Sequence, residues 1–279
     1  MKQSSVISLL LMLFFTSTQV YSQDEYDEKI DSVRFVFGLN FGAHFANSNT
    51  ASLYTGSPNV SPFGIDYIFN RPFNQQVFDQ FFNNPYEIAE YPFNPKYRAA
   101  SEIGFHTAYK FGPDWSNTIY LDFNIAQVKF EQNFTVAIYD PQNQIPGPTY
   151  QQFPIFGREN RFHLNLGTQW SLYHDEGSNA YFSLFGNLNN VQMRRNYIVI
   201  DDREYEIFHR NVDRPSERLG GVGYGGGGGL GFKFSLTEDI IADFYYNLYY
   251  TQINFKEEFK PYGVQHSLGI RFIWGSLLL

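Results

Sequence analysis

A chain of 279 residues is long enough for one large domain or two ordinary ones. Its net charge of -8 argues against nucleic acid as a partner, because nucleic acid is bound through clustered lysine and arginine. The absence of cysteine excludes a disulfide framework, a thiolate metal site and a lipid attached at Cys. Phe and Tyr are abundant, with 30 and 21 copies, and mean hydropathy is negative. This composition is typical of an all-β protein whose sheets have one polar and one apolar face, and it argues against a bundle of transmembrane helices.

The N-terminus has the three parts of a secretory signal peptide. Lys2 supplies a positive charge, Val6–Phe15 is an apolar core, and Val20-Tyr21-Ser22 is an acceptable cleavage site. The apolar core is too short to span a bilayer as a helix. We therefore predict a signal peptide over residues 1–22 and an acidic periplasmic tether over residues 23–32, with a buried N-terminal strand as the alternative.

The rest of the chain is dominated by an alternation of apolar and polar residues. Val33–Ala46 puts Phe35, Phe37 and Phe41 on one face and small or polar residues on the other. This period of two over so long a segment fits a tilted transmembrane strand. Seven more segments follow the same pattern: Tyr97–Phe111, Asn117–Val136, Glu159–Leu172, Tyr181–Ile200, Leu219–Leu236, Ile240–Ile253 and Val264–Trp274. In the third strand the phase slips near Ala126–Gln127, which predicts a bulge there.

The connections between these segments alternate in length. Short turns (GPDWS, YHDEGSN and TED) alternate with long loops at Asn47–Lys96, Tyr139–Ile155 and Asp201–Arg218, and with a shorter loop containing PYG. This is the layout of a bacterial outer-membrane barrel, with the long loops outside the cell. The sequence thus predicts an all-β fold over residues 33–279: a transmembrane antiparallel eight-stranded up-and-down β-barrel with long extracellular loops, located in the outer membrane.

The last strand, HSLGIRFIW, resembles the terminal-strand signal that the barrel assembly machinery recognises, although GSLLL follows Trp274. The chain from Val33 onward resembles the small outer-membrane barrels of the OmpA/OmpX type, and its aromatic, Asn-rich texture resembles barrels of Bacteroidota. This resemblance implies two partners, the lipid bilayer of the outer membrane and the assembly machinery during biogenesis.

A glycine run in the sixth strand matches G-x-G-x-x-G over residues 221–226, but a strand follows it where a nucleotide-binding loop would open a helix. Alternation instead puts one set of glycines on the lumenal face: Gly221, Gly223, Gly225, Gly227, Gly229 and Gly231. An eight-stranded barrel is just wide enough for side chains to fill. We interpret these residues as a wall that makes room for bulky neighbours, with Phe185, Tyr245 and Tyr249 as candidates. A narrow permeation path along the wall is the alternative.

The same registers place many charges in the lumen. Near the outer mouth we expect Arg98, Glu102, Glu159 and Arg161, and towards the periplasmic half Arg34, Lys110, Asp122, Lys233, Asp243 and Arg271. Buried charges are costly unless they are paired, so the mixture of signs predicts a salt-bridged plug. A polar lining for a thin water path is the alternative.

His44, His106 and His163 also fall on lumenal faces. We predict that they lie apart as separate hydrogen-bonded residues, because a metal site would need them to converge with carboxylate support. No metal or other cofactor is predicted.

Two long loops carry further candidates. In the first loop, Phe73, Val77, Phe81 and Phe82 have helical spacing and predict a short amphipathic helix, which would be a lid over the mouth, a membrane-surface element or a docking surface for a protein partner. In the third loop, the best candidates for the catalytic residues of a hydrolase are His209 with Asp201, Asp202 and Asp213, but no spacing motif supports catalysis.

These observations predict a non-enzymatic outer-membrane barrel with a plugged polar lumen, which acts as a structural or interaction protein through its extracellular loops. An accessory role in a secretion or surface machinery follows by analogy only. The two alternatives are a narrow channel for small solutes and a barrel hydrolase.

Overall fold

The computed structural model describes residues 35–111, 117–142, 147–175, 177–209, 218–237, 239–255 and 260–274, with the exception of the His174 side chain. The predicted signal peptide and tether lie outside these residues, as does Arg34. Ten strands are present in the described part: β1 (Phe35–Phe45), β2 (Tyr86–Glu90), β3 (Ala100–Phe111), β4 (Asn117–Ile138), β5 (Thr149–Asp175), β6 (Ser178–Ile200), β7 (Arg203–Glu206), β8 (Gly220–Ser235), β9 (Ile240–Gln252) and β10 (Tyr262–Trp274).

Eight of these strands form a closed antiparallel ring. The hydrogen-bonded order is β1, β3, β4, β5, β6, β8, β9 and β10, and the ring closes because β10 pairs with β1 from Phe37–Trp274 to Phe45–His266. The eight strands correspond to the eight predicted segments. The eight-stranded barrel is therefore confirmed.

The outer surface of the ring is apolar, as the alternation predicts. Phe37 on β1 and Phe105 on β3 are 62% and 64% exposed, whereas their neighbours in sequence point into the barrel. A belt of exposed apolar side chains runs around the barrel and includes Phe41, Ile103, Ile119, Leu164, Leu166, Leu184, Leu188, Leu230, Phe244, Leu248, Leu268 and Phe272. This is the surface that a barrel in an outer membrane presents to lipid.

The predicted bulge near Ala126–Gln127 is wrong. β4 pairs with β5 without interruption from Thr118–Gln169 to Ile138–Thr149. The apolar residues change faces while the backbone stays regular: Ile125 points outward, but Val128 and Phe130 point inward and are buried. β4, β5 and β6 extend beyond the apolar belt, where the interior of the barrel is hydrophobic and the exterior is polar.

The first long loop, residues 47–96, folds over this extension, and we call it the cap. It contains a 3-10 helix (Ser48–Tyr54), the helices Ile65–Asn70 and Pro72–Phe82, and β2, which pairs with β4. Cap and strand extensions share one hydrophobic core, made by Ala51, Leu53, Tyr54, Ile65, Ile68, Phe69, Phe78 and Phe82 of the cap and by Phe130, Phe134, Val136, Phe153, Ile155, Val191, Met193, Ile198 and Ile200 of the strands. Of the described helices, none has the length and apolar character needed to cross a bilayer.

The other two long loops differ from their predicted bounds. β5 already begins at Thr149, so the second loop is shorter than Tyr139–Ile155. The third loop begins with a hairpin in which β7 pairs with β6. In both places strand pairing continues beyond the apolar belt, which the lipid-facing pattern alone does not reveal.

Candidate functional site: the barrel lumen and its cap

We call the end of the lumen near the short turns the lower part and the end near the cap the upper part. The lower part is organised around Arg271 on β10. Its Nη1 and Nη2 donate to Asp243 Oδ2 at 2.7 Å and to Asp122 Oδ2 at 2.8 Å, and its Nε donates to Asn40 Oδ1 at 2.8 Å. The three charged side chains are at most 2% exposed. His106 completes this set, since its Nδ1 lies 2.6 Å from Asp122 Oδ1. The lower network therefore joins five neighbouring strands of the ring: β9, β10, β1, β3 and β4.

Neighbouring groups extend this lower network. Tyr181 on β6 donates its hydroxyl to Asp243 Oδ1 at 2.9 Å. The ammonium of Lys233 lies 4.6 Å from the centre of the Tyr181 ring and donates to Gln169 Oε1 at 2.6 Å. Lys110 is partly buried at the short-turn end of β3.

The upper part of the lumen is organised around Arg161 on β5. Its Nε donates to Glu159 Oε1 at 2.5 Å and its Nη1 to Gln265 Oε1 at 2.6 Å. The cap contributes directly, because Tyr54 donates its hydroxyl to Glu159 Oε2 at 2.9 Å, and Tyr97, which follows the cap, donates to the same atom at 3.1 Å. Burial raises the pKa of both tyrosines, which lie outside the membrane-spanning strands, so they stay neutral donors. The cap is thereby attached to the lumen by hydrogen bonds as well as by its hydrophobic core.

Between the two networks lies a histidine pair. The rings of His44 and His163 have centroids 4.8 Å apart, so the prediction that these histidines lie apart is wrong. The stagger of the strands brings them to one height. His44 contacts Ser267 Oγ at 2.9 Å and Gln265 Oε1 at 3.2 Å, and lies 3.5 Å from Glu102. Among the described residues, no group of three or more His, Asp or Glu side chains is arranged to hold a metal ion.

Several buried polar atoms in and next to this middle layer have no hydrogen-bond partner of good geometry within the described residues. They are Glu102 Oε1, both ring nitrogens of His163, the Tyr245 hydroxyl and, in the lower network, His106 Nε2. An unmet buried polar group costs about 1–3 kcal/mol, and ordered water commonly meets this need. The middle layer is therefore the part of the lumen that is most suited to hold water.

The prediction that Arg98 lies in the lumen is wrong. Arg98 points outward, with its side chain 63% exposed and paired with Glu131 at 2.9 Å. Tyr97 points inward and forms an isolated bridge with Phe130, while the regular strand begins only at Ala100. Two residues, Arg98 and Ala99, lie between the inward-pointing Tyr97 and Ala100, where strict alternation would allow only one. Counting back by twos from Glu102 therefore assigns Arg98 to the wrong face.

The glycine run lies where a side chain would collide with the lumen filling. A Cβ at Gly227 would lie 2.7 Å from Phe185 Cζ, and one at Gly231 would lie 2.2 Å from the Tyr181 ring. At Gly225 the contact would be with the Tyr250 carbonyl oxygen, at 2.3 Å, so close strand approach adds to the requirement. Of the three predicted neighbours, Phe185 fills this role, whereas Tyr245 lies against Gly269. Tyr249 packs instead on Phe185 and the two histidines.

The predicted helix of the cap is present, but its buried face is rotated from the expected one. Phe78 and Phe82 are buried, while Phe73 is 77% exposed. Val77 and Phe81 are partly buried at the edge of the core. The four residues therefore do not form one surface for a partner, because Phe82 is used inside the cap.

The hydrolase candidates do not converge in the described residues. His209 Nε2 lies 3.0 Å from Asn196 Nδ2 on β6. Asp201 and Asp202 form the turn between β6 and β7, with φ of 52° and 55°. Asp201 is five residues beyond Asn196, about 17 Å along the strand at 3.4 Å per residue. Asp213 lies outside the described residues.

The closed ring, its apolar outer belt and its polar lumen define a β-barrel of the outer-membrane class. No family model and no curated protein match the sequence. Among solved structures, the chain is similar to Neisserial surface protein A (8% identity, TM-score 0.40, 86% of this chain and 96% of that one) and to the Ail attachment invasion locus protein of Yersinia pestis (9%, 0.32, 87% and 99%). It is also similar to OprG of Pseudomonas aeruginosa (10%, 0.32, 87% and 96%). Because these TM-scores are below 0.5, the barrel assignment depends on the strand pairing described above.

Proposed function

We propose that this chain is a non-enzymatic outer-membrane β-barrel with a plugged lumen, whose capped end faces the cell exterior and binds a partner. One observation carries the proposal: the cap, the upper network and the lower network lie in series along the lumen. Tyr54 belongs to the cap core and also donates to Glu159 of the upper network. A solute would have to displace all three layers to cross.

The energetics of the lower network favour a permanent plug. Arg271, Asp122 and Asp243 are nearly fully buried and satisfy one another. Removing one member of a buried ion pair costs about 3–5 kcal/mol, because the other is left without its partner. A conducting state that separates these groups would meet a cost of this order.

The interaction role is supported by what the capped end exposes. Phe73 on the cap helix is 77% exposed, Phe93 is 93% exposed, and Tyr150 on the extension of β5 is 65% exposed. Exposed aromatic side chains are favoured at protein interfaces. An accessory role in a secretion or surface machinery is the specific form of this proposal, with the partner bound at these loops.

A narrow channel is the second candidate, and the unpartnered polar atoms of the middle layer support it. Water bound to Glu102, His163 and Tyr245 would be the central part of a permeation path. The two candidates differ in whether this water is continuous with both ends of the lumen.

Single-channel recording of the refolded mature protein in a planar bilayer distinguishes them. The plugged barrel predicts no steady openings from protein whose mobility on gels changes with heating, as a folded barrel requires. Stable wild-type openings would contradict the plug and favour the channel.

A further inference from the structure

The outer surface of β4, β5 and β6 changes character in three successive rows just beyond the apolar belt. Cross-strand pairing defines each row, since the facing residues of these strands lie side by side. Going away from the belt, the rows are Ile125–Phe162–Asn190, then Gln127–Asn160–Gln192, then Lys129–Arg158–Arg195. The surface thus passes from mainly apolar to amide to cationic within four residues of β4 and β5 and five residues of β6.

The cationic row is only partly balanced by carboxylates. Arg195 is paired with Glu204 at 2.6 Å, but among the described residues no carboxylate is paired with Lys129, Arg158 or the adjacent Arg194. With the Asn160 amide turned to accept, Arg194 Nη2 donates to its oxygen at 3.0 Å, which directs the guanidinium towards the amide row. Like charges directly opposite each other on adjacent strands are destabilising. An anion bound across the row would remove this cost.

An apolar groove begins at the row nearest the belt and lies on the lipid-facing side. It has a volume of about 340 Å³, and Phe162, Leu188 and Val222 are among the residues that line it. Asn190 belongs both to the groove and to the row nearest the belt. From Phe162 to Arg158 the strand advances four residues, about 14 Å at 3.4 Å per residue. Long arginine side chains shorten this distance, because they extend along apolar surface to reach a headgroup.

We propose that this face of the barrel binds an anionic lipid with phosphate headgroups. The phosphates lie across Lys129, Arg158 and Arg194, and an acyl chain lies in the groove beside Phe162 and Val222. Charge complementarity and the vertical order of the rows support a lipid over a soluble anion, because the groove opens onto the apolar belt. Arg98 lies beside Lys129 and also points outward, but it is paired with Glu131. The proposed site is therefore limited to Lys129, Arg158 and Arg194, for which the described residues provide no paired carboxylate.

Native mass spectrometry of the protein in a non-ionic detergent tests the site, with diphosphorylated lipid A as the probe. Phosphatidylcholine and inorganic phosphate are tested in parallel. We expect wild-type protein to retain lipid A preferentially. The variant K129Q/R158Q/R194Q should bind it at least about tenfold more weakly, since three charge-assisted contacts are lost.

The matched control is R71Q/R203Q/K260Q, which removes three exposed cations outside the row. It should change lipid A binding by less than about twofold. The groove is tested by Val222→Trp against Val264→Trp, two exposed valines on different strands, and only the former should weaken binding. All variants must keep the heat-dependent gel mobility of the folded barrel.

Three results would overturn the proposal. The first is equal weakening by the two triple variants, which would indicate an unspecific charge effect. The second is unchanged lipid A binding in K129Q/R158Q/R194Q. The third is retention of inorganic phosphate as strong as that of lipid A, together with no effect of Val222→Trp, because the row would then be a site for free phosphate.

Discussion

Replacing Arg271 by methionine tests whether water reaches the buried charges of the lower lumen. The substitution keeps most of the side-chain volume but removes the cation between Asp122 and Asp243. Breaking a buried ion pair by removing one partner costs about 3–5 kcal/mol. Asn40 and Tyr181 still donate to the two carboxylates, so we expect a loss near the lower end, about 3 kcal/mol of the free energy of unfolding.

The assay is equilibrium urea unfolding of the mature protein in detergent micelles, followed by tryptophan fluorescence and by heat-dependent gel mobility. Arg98→Ala is the control, because this arginine forms an exposed pair with Glu131 and should cost no more than about 1 kcal/mol. A variant that also carries Asp122→Asn and Asp243→Asn should recover most of the loss. The two asparagines carry neutral amides, so no buried carboxylate is left without its cation.

A loss below about 1 kcal/mol for Arg271→Met would refute the reasoning. It would mean that water screens the two carboxylates, and hence that the lower lumen is hydrated. Failure of the two asparagine substitutions to restore stability would refute it differently, because the loss would then come from packing of the guanidinium against the Tyr245 ring, 4.9 Å away.

Three further predictions concern the cap and the glycine run. Phe78→Ala should destabilise the cap by about 3–5 kcal/mol, seen as protease cleavage in residues 47–96 of a barrel that stays folded, whereas the exposed Phe73→Ala should leave cleavage unchanged. Gly227→Ala should impair refolding because its Cβ would lie 2.2 Å from a backbone oxygen, while Gly228→Ala, whose nearest contact is at 3.2 Å, should refold like wild type. Burial raises the pKa of Tyr86 to about 12. The neutral tyrosine therefore favours the folded cap, so resistance to protease should be full below pH 10 and fall between about pH 10 and 12, and Tyr86→Phe should reduce this fall.

The fold was predictable because lipid and lumen impose opposite demands on successive residues. Segments such as Val33–Ala46 have no other simple explanation, and all eight predicted strands are present. The lumenal placement of Asp122, Asp243 and Arg271 followed from the same parity. Their pairing did not, because contact across the lumen depends on the tilt and stagger of strands, which one strand's sequence does not contain.

The remaining errors have local causes of the same kind. Arg98 was placed by counting through a segment that is not a strand, and the two residues after Tyr97 reverse the count. The sequence predicts that His44 and His163 lie apart because they belong to strands that are not neighbours. Their rings are 4.8 Å apart because neighbouring strands are staggered around the ring.

The change of apolar side chains from one face of β4 to the other was visible in the sequence but was interpreted as a bulge. A bulge shifts the backbone register, whereas a change of surroundings shifts only the side-chain polarity. Below Ala126 the exterior is lipid and the interior is polar, so Ile125 points outward. Above it the exterior is water and the interior is the cap core, so Val128 and Phe130 point inward on the same regular strand. β5 follows the same rule, since Phe162 points outward while Phe153 and Ile155 point inward. Where the apolar side chains of paired strands move from the outer to the inner face at one height, that height marks the edge of the membrane. Here it coincides with the row of amides that separates the belt from the cations.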